Sequence, residues 1–128
     1  MSRPDRLYVV VRSDLTAGSQ AVQACHAALA FVEEHGTRHG SWSASNGYLV
    51  LLQVPDEGAL SRVRDKASRA GLKLSGFREP DLKDSLTALA LEPGQASRRL
   101  CSSLKLAMPE DAKAPAVLAD GGSHGIVD

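Results

Sequence analysis

Leu7-Tyr8-Val9-Val10-Val11, the polar turn Arg12-Ser13-Asp14-Leu15 and then Gln20 to about Glu34, with Gln23-Ala24-Cys25-His26-Ala27-Ala28 inside it, form the stretch that decides the fold. The first run is continuous and rich in valine, the mark of a strand buried on both faces. Thr16-Ala17-Gly18-Ser19 is turn-like, and Ser19 is the expected N-cap. From Gln20 onward, Ala21, Cys25, Ala28, Leu29 and Val32 recur at spacings of three and four. That pattern predicts a helix with those residues inward, stopped by Gly36. An imidazole, His26, is thereby set in the early turns of a helix beside the carboxyl end of a strand, where open α/β sheets bind ligands.

Outward from this unit the same alternation continues. Residues 36–47 read as a loop. Tyr48 to Val54 is a second apolar strand, Pro55-Asp56 a stop and an N-cap, and Leu60, Val63, Ala67 and Ala70 the inner face of a second helix capped by Gly71. Leu72 to Phe77 and Leu86 to Leu91 are two further strands, separated by the polar loop Arg78-Glu79-Pro80-Asp81-Leu82-Lys83-Asp84. Pro93-Gly94 leads into a short helix from Gln95 to about Ser103. Leu104-Lys105-Leu106 either extends that helix or forms a terminal strand. The expected fold class is α/β: a small two- or three-layer sandwich with a four-stranded mixed sheet flanked by helices and right-handed crossovers.

Length and composition narrow the function classes. With 128 residues, one domain over residues 1–108 is expected, large enough for a core without staples. After Pro109 periodicity ends, and residues 109–128 are expected to be a disordered tail. Formal net charge is zero, which argues against a surface that is basic throughout. A local basic patch stays open, because basic residues outnumber acids in the first eighty positions. The two cysteines, Cys25 and Cys101, have no secretory signal before them and are expected to be reduced. No apolar run approaches the roughly 18 residues of a membrane span. The expected setting is cytoplasmic.

The chemistry-bearing residues each admit an ordinary reading. Gln23 and His26 lie three apart on one helix face. Taken alone, His26 reads as a packed core histidine and Gln23 as a surface amide. Cys25 reads as a small buried residue, since adjacent helical residues point in different directions and make a poor Cys–His pair. The acids Glu79, Asp81 and Asp84 read either as a solvated loop or as the source of one carboxylate aimed across the sheet end at His26. His35 and His39 are four apart, but Gly36 breaks the helix between them, so no metal site is expected. No phosphate-binding glycine loop follows any strand, and no cofactor is expected.

In order and approximate spacing, Arg12-Ser13-Asp14-Leu15, Gly18, Gln23-Ala24-Cys25-His26-Ala27-Ala28 and Val54-Pro55-Asp56-Glu57 resemble the type II peptidyl-tRNA hydrolases. The Glu79-Pro80-Asp81 loop looks closer to that family's divergent domain-containing branch. The resemblance covers residues 6 to about 107. It implies a small α/β sandwich, often dimeric, that hydrolyses the ester between a peptide and the 3′ ribose of tRNA without a metal. It implies His26, Gln23 and Glu79 or Asp81 as catalytic residues. It implies Arg12, Asp14, Gly18, Ser19, Cys25 and Thr87 around the substrate, with Ser85 a second candidate for the family's threonine. Ser19 stands where the family pattern has a lysine. The other readings left open are an acyl-transfer or amide-processing enzyme acting on a non-tRNA substrate, and a non-catalytic binding module.

Overall fold

The computed structural model describes residues 6–36 and 47–109. Most of the loop expected over residues 36–47, and the tail expected beyond Pro109, lie outside them. Strand β1 (Leu7–Arg12) leads to helix α1 (Ala17–His35), β2 (Leu49–Val54), α2 (Glu57–Arg69) and β3 (Leu74–Glu79). A single 3₁₀ turn (Pro80–Leu82), β4 (Ser85–Leu91), α3 (Gln95–Leu100) and β5 (Lys105–Leu106) complete the chain.

The sheet has five strands in the order β3-β4-β1-β2-β5, one more than the four expected, because Lys105–Leu106 pairs with β2 rather than extending α3. β1 is central. It runs parallel to β2, reached through the α1 crossover, and antiparallel to β4. Its apolar run fits that place: Leu7, Val9, Val10 and Val11 are fully buried. Tyr8 and Val10 face a core with Leu60, Val63, Ala67 and Cys101, which puts α2 on that side. Leu7, Val9 and Val11 face the other core, built with α1. The sandwich therefore has three layers, with helices on both faces.

Two local expectations are corrected. Helix α1 begins three residues earlier than expected. Thr16, extended at φ −62° and ψ 158°, is its N-cap and accepts the Ser19 N–H through its side chain, so Ser19 lies inside the first turn. The buried face of α1 is Gln20, Gln23, Ala24, Ala27 and Phe31. The face expected inward is largely outward: Leu29 is 68% and Val32 41% exposed, with Ala21 and Cys25 also exposed; Val22, outside that set, is exposed as well, at 52%. Small residues explain the choice. Ala24 and Ala27 share a cluster with Ala88 and Ala90, which lets the helix approach the strands where bulkier side chains would hold it off.

This assignment predicts opposite results for two alanines of one helix. Ala27→Leu should cost about 1–3 kcal/mol by overpacking, whereas Ala21→Leu should stay within about 0.5 kcal/mol of wild type. Urea denaturation of both variants measures the difference.

Candidate active site

The strand expected to end at Phe77 runs two residues further, to Glu79. Glu79 is consequently the last residue of a strand, aimed by the sheet. Phe77 and Glu79 point to the α1 side, where Phe77 packs against the α1 core. The turn that follows is tightly tied. Asp84 N–H donates to Glu79 O at 3.0 Å, and Arg78 Nη1 donates to Asp84 O at 3.1 Å. Lys83 and Asp84 both adopt left-handed backbone, at φ 57° and 58°, a costly conformation kept where the surroundings demand it.

Across from Phe77 the ladder slips. Phe77 pairs with Ala88 but Arg78 pairs with Leu86, so Thr87 is an extra residue in β4. Such a bulge re-aims a side chain. Here it sends the fully buried Thr87 toward α1, and the Thr87 hydroxyl lies 2.7 Å from Gln23 Oε1 and 3.2 Å from Phe77 O. A hydroxyl has one hydrogen, and the shorter contact to Gln23 takes it. Gln23 in turn donates from Nε2 to Glu79 Oε1 at 2.8 Å. An ionised carboxylate can only accept, which fixes the orientation of the amide. Gln23 is 4% exposed, a buried hub instead of the surface amide its type suggests.

His26, one turn along α1, is exposed and not a core residue. Its ring stacks on Phe77 with centroids 4.3 Å apart and planes 15° from parallel. Neither ring nitrogen bonds a described residue, so the imidazole is held by its face with both nitrogens open. Glu79 does not bond it. The Glu79 carboxylate takes the Gln23 amide and, through Oε2, the Asp81 N–H at 3.2 Å. Those two bonds, the Gln23 one first, and a lesser attraction to His26 hold the Glu79 carboxyl below its ordinary range.

The remaining expected residues sit as follows. The Asp81 side chain is exposed, and its contribution is the backbone N–H. Cys25 is exposed rather than buried. Burial pushes the Cys101 thiol up to about 11, leaving it protonated and unreactive. Arg12 and Asp14 pair with each other, Nη2 to Oδ2 at 2.9 Å and Nε to Oδ1 at 3.0 Å. That bond draws the Asp14 carboxyl below its usual value. Arg12 Nη1 also donates to Ser85 Oγ and to Leu86 O. Ser85 thus belongs to the Arg12 cluster, and Thr87 to the Gln23 network. Gly18 is exposed, with open space where a Cβ would stand. Ser19, Gln23 and His26 share one side of the helix by their spacing. No cluster of described residues suits a metal ion. Phe77, the platform for His26, was missed in the sequence reading because a phenylalanine in an apolar strand signals only core.

The chain belongs to the family described as Peptidyl-tRNA hydrolase PTH2, whose model matches residues 6–107. Among solved structures it is similar to a protein of unknown function from Agrobacterium tumefaciens. The TM-score is 0.59 at 14% identity, over 82% of this chain and 98% of that one, and the likeness bears on fold alone. No curated protein matches it.

Two measurements check the network. Thr87→Val, close in shape, strands a buried acceptor on Gln23 and should destabilise the protein by about 1–3 kcal/mol. Glu79 has its carboxyl lowered in the folded state. The stability its charge adds is therefore complete above the ordinary value of 4.5 and is lost as pH falls through the lower folded value. The stability gap between wild type and Glu79→Gln should accordingly be larger at pH 7 than at pH 3 in urea titrations.

Proposed function

We propose that this protein hydrolyses the ester linking the carboxyl end of a peptide to the 3′ ribose of tRNA. One observation carries the reading: an open imidazole, His26, stands on Phe77 beside a carboxylate whose position is fixed through the buried Gln23 amide. Family membership supports hydrolysis of peptidyl-tRNA as the general activity. The finer roles are argued from chemistry. A neutral imidazole with a free nitrogen can take a proton from the attacking water and return it to the ribose oxygen that leaves. Glu79 keeps acceptor capacity beyond its two bonds and is half-exposed. It can orient that water or a ribose hydroxyl.

Distance decides what the start of α1 can do. His26 lies nine residues from Ala17, roughly 13.5 Å along the helix axis. That is too far for amides at the helix start to touch an oxyanion formed beside His26. The Ser19 N–H is in any case taken by Thr16 Oγ1, and the Gln20 N–H by Thr16 O. The exposed first turn suits a phosphate of the tRNA end instead. Ser19 leaves that approach without a cation, and α1 carries no lysine or arginine. This favours, as the second reading, an acyl ester of a smaller, uncharged alcohol processed by the same residues.

One variant tests the site and a second separates the two readings. His26→Ala should remove most ester cleavage under either reading while leaving the melting temperature nearly unchanged, because the side chain is exposed. Ser19→Lys should tighten binding of peptidyl-tRNA, with a gain that shrinks as salt rises. Wild-type protein inactive on peptidyl-tRNA, with no gain from Ser19→Lys, would leave the second reading standing.

A homodimer is the assembly we propose. The outward residues Val22, Cys25, Leu29 and Val32 recur at three, four and three, the spacing of a helix seam. A two-fold pair would bury that patch against itself. Sedimentation should give a dimer mass for wild type and a monomer mass for Leu29→Glu. A monomer at high concentration in the wild type would refute the assembly.

A further inference from the structure

We propose that Arg12 and Glu57 are positioning residues of this site, holding Leu86 so that the bulge in β4 carries Thr87 to Gln23. The inference rests on the hydrolase reading for its consequence in rate, but its structural part stands without it. The ladder between β1 and β4 has its last pair at Val11 and Ala88. Beyond that point the backbone of β4 needs other partners, and two side chains from other elements supply them. Leu86 N–H donates to Glu57 Oε2 at 2.9 Å, and Leu86 O accepts from Arg12 Nη1 at 3.1 Å. Both backbone groups of the residue before Thr87 are thereby held from the side of the sheet opposite α1.

The two partners are themselves held. Asp14 takes Nε and Nη2 of Arg12 and sets the plane of the guanidinium, and the Arg12 side chain is only 13% exposed. Glu57 opens α2 directly after Asp56, whose side chain caps the helix by accepting the Ala59 N–H at 2.9 Å. The Asp14 hydrogen bond is the main cause that raises the Arg12 pKa, and the attraction of Glu57 adds a lesser part, consistent with the two meeting at Leu86. Two sequence signatures left without a chemical task, Arg12-Ser13-Asp14 and Pro55-Asp56-Glu57, thus converge on one peptide. Neither Arg12 nor Glu57 bonds Gln23, Glu79 or His26. Their route to the site runs through Thr87, whose hydroxyl fixes the Gln23 amide and with it the Glu79 carboxylate.

The test is a rate cycle joined to a substrate-free spectrum. Glu57→Ala should lower kcat on peptidyl-tRNA about tenfold to a hundredfold, within what a 1 Å misplacement can cost, and leave KM nearly unmoved. Glu57→Gln, which keeps an acceptor for the Leu86 N–H, should restore most of the loss. Glu57→Ala with Thr87→Val should be no slower than Thr87→Val alone, because both act through the same hydroxyl. In the NMR spectrum of free protein, the side-chain amide resonances of Gln23 should shift in Glu57→Ala and stay near wild type in the surface control Asp65→Ala. If Glu57→Ala does not fold, Glu57→Asp takes its place, one methylene short of Leu86. Full multiplication of the two losses, or Gln23 resonances unmoved by the Glu57 variant, overturns the proposal. Wild-type protein without hydrolase activity defeats the hydrolase reading instead, and the Gln23 resonances still decide the positioning role.

Discussion

A primary amide buried against a sheet calls for partners at both ends, because an unpaired end costs free energy. Gln23 imposes that demand on everything around it. Leaving either end unpaired would cost about 1–3 kcal/mol. The oxygen is met by Thr87 and the nitrogen by Glu79, so one side chain dictates both the bulge in β4 and the point to which β3 extends. Helix α1 has to lie close enough for a glutamine to span the gap, and the alanines on its inner face permit that approach. The carboxylate, the hydroxyl and the stacked imidazole follow from where the amide lies.

Much of the architecture was legible from the chain, for a physical reason. Strands covered on both faces are apolar almost throughout, as Leu7–Val11 and, Thr87 apart, Leu86–Leu91 are; Tyr48–Val54 reads the same way around Gln53, although Tyr48 and Leu49 are exposed. The Asp56 cap and Gly71, at φ 77°, mark the limits of α2 in the same plain way. The face of α1 was not legible. Alanine and cysteine carry little information about burial, and the larger Leu29 and Val32 suggested an inward stripe that the molecule presents outward. The inner face instead includes two glutamines, a choice no hydrophobic pattern can indicate: Gln23 depends on a hydroxyl and a carboxylate far away in the chain, and Gln20 turns its amide to the Leu15 carbonyl.

The site divides similarly. His26, Gln23 and Glu79 could be nominated from local spacing and resemblance. Thr87 was harder to place, because its role depends on a one-residue slip between strands, and an uninterrupted Leu86–Leu91 run looks the same with or without a bulge. Arg12 illustrates the opposite case. The family resemblance suggested that it stands beside the substrate, yet each of its nitrogens is committed to Asp14, Ser85 or Leu86. A charge at a strand end can serve the backbone as readily as a ligand, and only the count of its bonds distinguishes the two.

The network closes over long stretches of chain, since Gln23 meets Glu79 across 56 positions and Thr87 across 64. A nascent chain can form β1, α1 and β2 and carry the histidine and the glutamine while having no site at all, for the last two strands of the network have yet to arrive. The same order applies in reverse. β3 is an edge strand, and edges open more readily than centres, so opening there breaks the bond between Gln23 and Glu79 while the central strand pair is still intact. Gln23 keeps its carboxylate partner only while that edge stays paired.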